Sequence, residues 1–335
     1  MIIPYRTRQA LRQIALVLLA VLLLAVLIWG CWIVWLSRYV IYTQDGAKID
    51  FSLPEQLLSG TLAQPPEPGE TIPISYDDAP GSVSTALAQI NGYYADAAAL
   101  KDIPAVKNQI QALPAGTAVM VDVKNIYGSF YYSSGVSDAR SSSVDVQAMD
   151  ELIKALNKSN LYTIARLPAL RDYQYGLHHV PDGLPTAGGY LWLDKDGCYW
   201  LNPASSGTLS YLIQIVNELK SLGFDEVVFY DFYFPETNSI VYKNDKAEAL
   251  ATAAKTLVSS CATDSFGVSF VGKPDFALPE GRSRLYVENA EPINAAGIAQ
   301  QTGLADPEIR LVFVTTLHDT RFDKYSVLRP LSAAH

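Results

Sequence analysis

Gly223-Phe-Asp-Glu-Val-Val-Phe-Tyr-Asp-Phe-Tyr-Phe-Pro235 joins an apolar run to carboxylates and tyrosines and then stops at a proline. Val227, Val228 and Phe229 are strand formers without polar alternation, the pattern of a parallel strand covered on both faces, and Pro235 cannot continue a ladder. The stretch therefore predicts a buried barrel strand with Asp231 at its C-terminal end, where parallel α/β folds gather their chemistry. A lone acid at a strand end also caps turns, so its surroundings decide its role. Asp225 and Glu226 open the strand and belong at the opposite rim, where they serve stability.

Outward from this stretch the chain alternates short apolar runs with helical periods. Before it come a strand at Ile90–Ala95, a helix over 102–113, a strand at Thr117–Lys124, and a helix over Asp145–Ser159 with Asp145 as N-cap and an apolar face at Met149, Leu152, Ile153 and Leu156. A strand at Leu161–Leu167 follows. The long excursion 168–205 then carries His178, His179, Trp192, Tyr199 and Trp200, and it is expected over the barrel mouth, on the same side as Asp122. After the opening stretch come a helix over 245–260, strands at 266–272 and 284–288, a helix over 293–301 and a strand at 309–315. An eighth strand, around Ser326–Leu328, is faint. With no GxGxxG or GxxxxGK[ST] sequence to cradle phosphate, the rhythm predicts an α/β fold, a (β/α)8 TIM-like barrel irregular or incomplete at strand eight.

Hydrophobic residues make up 49% of the 335 and charged residues 18%, which fits a folded core plus a membrane segment and excludes a disordered chain. Ile14–Leu36 holds no charge, and its length suffices to cross a hydrocarbon layer of about 30 Å. The expected organisation is a cytoplasmic N-terminus (1–13), a transmembrane helix (14–36), a short stalk element turning at Asp45-Gly46 (37–53), a proline-rich linker (54–84) and the barrel domain (85–335). Arg6, Arg8 and Arg12 precede the helix without an acid among them, so the positive-inside rule places the large domain outside, on a single-pass plasma-membrane protein. The formal charge of −9 includes those arginines, so the outer domain is more acidic still, which argues against nucleic acid or anionic lipid as its partner. Cys198 and Cys261 form no CxxC and have no histidine at ligand spacing, so neither a zinc site nor a cofactor is expected; both a disulfide between them and two buried thiols fit.

Several residues carry candidate chemistry. Asp122 and Lys124 share one face of the second strand by its period of two and approach its C-terminal end. Arg166 offers a planar guanidinium for a sugar hydroxyl or a carboxylate. Asp231 is the candidate nucleophile or charge stabiliser, and Glu288, at the end of the sixth strand, the candidate proton donor. Trp192, Trp200, Tyr230 and Tyr233, with Tyr190 and Tyr199, suit stacking on sugar faces, although each also suits core packing. Adjacent His178 and His179 point apart, against a metal site.

Val121-Asp-Val-Lys124 with Gly128, Ile164-Ala-Arg166 with Asp172, Trp200-Leu-Asn-Pro203 and Gly223-Phe-Asp-Glu226 running to Phe234-Pro235 together resemble the glycoside-hydrolase-like (β/α)8 barrels of bacterial surface proteins, similar in appearance to the α-amylase clan. That resemblance covers most of residues 85–325. It implies a barrel acting on a polysaccharide or cell-wall glycan and supports a role for Asp122. The family's fourth strand reads like GFDEIQFDYIRFP. Here Tyr230 stands where that pattern has Asp, Asp231 comes one residue late, and Tyr233 replaces the Arg. A one-residue shift turns a side chain to the opposite face of a strand unless a bulge at Tyr230 restores it. Two functions follow: a membrane-anchored barrel that binds and hydrolyses an envelope polysaccharide, or a degenerate relative that binds carbohydrate or acts as a scaffold without turnover.

Overall fold

The computed structural model describes residues 40–43, 46–49 and 87–333. Eight parallel strands form a closed barrel in chain order: β1 (Asn91–Ala95), β2 (Ala118–Asp122), β3 (Tyr162–Pro168), β4 (Glu226–Tyr230), β5 (Gly267–Val271), β6 (Leu285–Glu288), β7 (Leu311–Val314) and β8 (Ser326–Pro330). Helices α1 (Ile103–Gln111), α2 (Val146–Leu156), α3 (Tyr173–His178), α4 (Ser206–Ser221), α5 (Lys246–Cys261), α6 (Ala295–Thr302) and α7 (Pro307–Arg310) lie between them. Both α3 and α4 lie between β3 and β4, both α6 and α7 between β6 and β7, and among the described residues no α-helix lies between β5 and β6 or between β7 and β8. Asp145 does cap α2, its carboxylate accepting from the backbone N–H groups of Gln147 and Ala148.

The expectation of an irregular or incomplete eighth strand is corrected. β8 pairs with β7 through Ser326↔Val312 to Leu328↔Val314, and with β1 through Val327↔Asn91 to Pro330↔Tyr94. Its apolar run is short and ends in Arg329-Pro330, so its period is weak in isolation; strand status comes from two neighbours remote in sequence.

The strand period of two sorts the core into an outside and an inside. Val119 and Val121 of β2 belong to the large cluster under the helices, whereas Ala118 and Met120 join Ile164, Val228, Tyr286, Val312 and Leu328 in a separate cluster within the barrel. The same alternation puts Glu226, Val228 and Tyr230 of β4 in one inward column. Below the apolar layer, Glu226 accepts from the hydroxyls of Tyr162 (2.8 Å) and Tyr286 (3.0 Å) and pairs with the buried Arg284. Asp225 accepts from the Thr163 N–H at 2.7 Å. Both acids that open β4 therefore lie at the rim opposite the mouth. Cys198 and Cys261 are each buried and free.

Outside the barrel unit, Val40–Thr43 and Gly46–Ile49 pair antiparallel, with Thr43 opposite Gly46. The apolar run 14–36, the N-terminal 1–13 and the linker 54–84 lie outside the described residues. Among those described, no helix is long and apolar enough to cross a membrane.

Candidate active site

Above the apolar layer the inward columns end in polar residues at one level: Asp122 on β2, Arg166 on β3, Tyr230 on β4 and Glu288 on β6. Asp122 and Arg166 are register partners across the β2–β3 ladder, so pairing alone sets them side by side. Arg166 donates from Nη1 to Asp122 Oδ1 (2.9 Å) and from Nη2 to Glu288 Oε1 (2.7 Å). Its guanidinium lies over the Tyr230 ring, 4.4 Å from the centroid. The other oxygen of Asp122 accepts from the Ala97 N–H at 3.0 Å, beyond the end of β1. Burial raises the Asp122 carboxyl above its ordinary range, and Arg166 offsets only part of that.

Asp231 reaches the mouth by a different device from the bulge that the sequence left open. The β3–β4 ladder runs in step to its last pair, Pro168↔Tyr230, and Tyr230 keeps the inward position. Asp231 is the first residue beyond the strand and adopts a left-handed backbone, φ 53°, a conformation that Asp tolerates better than most residues. The turn is held from the β3 side, where Ala169 N–H donates to Tyr230 O (2.8 Å) and Leu170 N–H to Asp231 O (3.3 Å). Asn289, directly after Glu288, is the other described non-glycine residue with positive φ, at 56°. β4 and β6 are thus each followed directly by a left-handed residue.

Arg171 supplies a second cation, one that sequence reasoning missed. Its Nη1 lies 3.9 Å from Asp231 Oδ2, and Asp194 and Asp196 hold its other nitrogens from within the excursion. The Trp200 indole N–H donates to Asp194 at 2.9 Å. Although partly buried, Asp194 is held below the ordinary carboxylate range by the bonds from Arg171, the Cys198 N–H and Trp200. For Asp231 burial prevails: its carboxyl is raised, against the opposing pull of Arg171 and Arg166, and Glu288 pushes it further. No local pattern marks Arg171. Its role depends on acids 23 and 25 residues away that only the folded excursion returns to it.

Asp231, Glu288, Tyr230 and Tyr233 line one cavity of about 760 Å³ at this end of the barrel. Tyr233 is 50% exposed, and its ring sits 5.0 Å from that of the buried Trp200. The excursion does cover the end of the barrel that holds Asp122: Leu201 N–H donates to Leu170 O, and Tyr173 N–H to Ile126 O in the loop after β2. Lys124 and Trp192 stand apart from the cavity. The Lys124 ammonium lies 2.6 Å from Asp172 Oδ2 with both side chains sealed from solvent, and Tyr211 donates to the same oxygen at 2.8 Å. Period two set Lys124 beside Asp122 in sequence, but the strand ends at Asp122, and Lys124 instead anchors the start of α3. Trp192 is half-buried against the outer core. His179 stacks on Tyr175 at 4.0 Å, and among the described residues no cluster of His, Cys, Asp or Glu is arranged to hold a metal ion.

Residues 101–264 match the model of the family DUF4015, described as "Putative glycosyl hydrolase domain". A search of curated proteins found no match. Among solved structures, a hypothetical protein from Ruminiclostridium thermocellum is 20% identical, with a TM-score of 0.46 over 53% of this chain and 96% of that one. An inactive mutant of the family 20 exo-β-N-acetylglucosaminidase from Vibrio harveyi is 9% identical, with a TM-score of 0.49; the match covers 72% of this chain and half of that enzyme. The glycoside hydrolase domain of PelA from Pseudomonas aeruginosa is 12% identical, with a TM-score of 0.46 over 73% of this chain and 96% of that one.

Proposed function

We propose that this barrel binds and hydrolyses a cell-envelope polysaccharide, with Asp231 and Glu288 as its two working carboxyl groups. The observation that carries this reading is their contrast within one cavity. Burial raises Asp231 towards the protonated form a general acid requires, whereas Glu288 accepts a charge-assisted bond from Arg166. Two carboxyl groups in unlike surroundings are what glycoside cleavage uses: one protonates the leaving oxygen while the other stabilises positive charge at the sugar carbon or activates its attacker. The assignment exchanges the roles expected from sequence. Asp122 then acts through Arg166, holding the guanidinium from the side opposite Glu288. Tyr233 offers a ring to a sugar face.

Binding without turnover is favoured by one specific observation: Arg166 ties up Glu288 Oε1. The two readings separate when the full-length chain, in a non-glycosidic detergent, is incubated with envelope polysaccharides and assayed for new reducing ends. Hydrolysis requires release by the wild type that both Asp231→Asn and Glu288→Gln abolish; retention of polysaccharide with no release at any pH assigns binding instead. The proposal includes anchoring through Ile14–Leu36 with the barrel outside the cell, supported by the arginines before that run. Protease added to protoplasts should then digest the barrel. Its full protection would reverse the orientation.

A further inference from the structure

The cavity at the mouth has two chemically distinct halves. Asp231, Glu288 and the hydroxyl-bearing rings of Tyr230 and Tyr233 form one; Ala247, Leu250 and Ala251 of α5, with Val271 at the end of β5 and Phe276 and Ala277 after it, form the other. The solvent-exposed Glu236, Lys273 and Asp275 also line the cavity. The second half is not ordinary core. Ala249, Ala253, Ala254, Leu257 and Val258 already give α5 its buried face, yet Ala247 and Ala251, one turn apart, are exposed and carry no polar group. Phe276 closes the far wall, with its ring 6.1 Å from that of Phe232 and 5.4 Å from that of Phe270.

An unsubstituted sugar lying against Leu250, Ala251 and Phe276 would press hydroxyl groups against side chains that neither donate nor accept, stripping water from them without replacement. A ligand whose sugar faces the carboxyl groups and whose substituent is apolar satisfies both halves at once. We infer that the site selects glycans carrying short acyl substituents, with the acyl group lodged between Leu250, Ala251 and Phe276. This inference rests on the carbohydrate reading of the mouth and narrows its substrate class. The same wall recognises an acyl group whether it hangs from oxygen or from nitrogen, so the shared chemistry is the acyl group itself.

The test uses the full-length chain with two matched pairs of probes: O-acetylated xylo-oligosaccharides before and after mild saponification, and N-acetylated and de-N-acetylated chito-oligosaccharides of equal length. The xylan pair is the cleaner arm, because removing an ester leaves the charge unchanged, whereas a freed amine is attracted to this acidic mouth. The expected result is about tenfold tighter binding of the acetylated member in at least one pair. Ala251→Glu, on the exposed face of α5, should bring that ratio towards one, and Ala251→Val should leave a preference in place. Equal affinity within both pairs, with the oligosaccharides still bound, would overturn the acyl inference and leave the carbohydrate reading standing. Failure of all four probes, and of whole envelope polysaccharide, to bind would remove both.

Discussion

The barrel holds one motif twice, at its two ends, and the versions differ in what they leave unsatisfied. At the N-terminal rim Arg284 pairs with Glu226, lies over the Tyr162 ring at 5.4 Å, and its carboxylate partner also takes the hydroxyls of Tyr162 and Tyr286. At the mouth Arg166 pairs with Asp122 and Glu288 and lies over Tyr230. The first cluster is sealed, with side-chain exposures of 1% and 0% for Arg284 and Glu226; in the second, Arg166 is 18% and Glu288 32% exposed. Closure explains the contrast. The lower cluster lies beneath an apolar layer and closes its valences on itself, whereas the upper one faces a cavity and keeps surface available for a ligand. The same residue types are therefore sealed at one rim and open to a ligand at the other, and burial rather than identity makes the difference.

The contrast breaks most visibly at Arg284. Arg284→Met should cost about 3 to 5 kcal/mol in denaturant unfolding, because it strands the buried Glu226 carboxylate. A smaller loss there than for Arg166→Met would mean that the lower cluster is not the structural one. The next largest effect belongs to the mouth: Asp231→Asn should lower turnover by about 10²- to 10³-fold, the scale of removing one preorganised group aimed at developing charge. Its effect on stability runs the other way. Burial raises the native carboxyl of Asp231, so over a window above the ordinary carboxylate range the folded state keeps a proton that the unfolded chain has lost, and stability falls as pH rises through it. Thermal melts should show Asp231→Asn more stable than wild type at neutral pH, with the difference vanishing below the ordinary carboxylate range.

Smaller effects sharpen the same comparison. Arg166→Met should cost about 1 to 3 kcal/mol of stability, the range for bonds to charged groups, while abolishing polysaccharide retention. Loss of stability with retention intact would make the upper cluster structural as well. Tyr233→Ala should weaken binding by about 0.5 to 1.5 kcal/mol and move stability by no more than about 0.5 kcal/mol, since the ring is half exposed and most of its packing is offered to a ligand. Calorimetric titration alongside an unfolding curve separates the two quantities.

Runs such as Val119–Val121 and Val227–Phe229, between helices with a clear apolar face, are local patterns, and from them the sequence by itself determined a parallel barrel and its strand order. Period two set Tyr230 and Asp231 on opposite faces of a regular strand and left open whether a bulge would bring Asp231 back to the mouth. Only the tertiary structure decided the rest. Closure needed β8 between β7 and β1, and the mouth needed Arg166 to meet Glu288 across 122 residues and Arg171 to meet acids from a folded excursion. The left-handed turn at Asp231 belongs to the same class, because bonds from the β3 side hold it in place. The physical reason is that a strand's period is set by its own backbone, while the partner of a charge is set by whatever the closed barrel brings within hydrogen-bond reach. Lys124 marks the boundary between the two. Its spacing from Asp122 pointed to the mouth, and a single turn after the strand gave it to Asp172 instead.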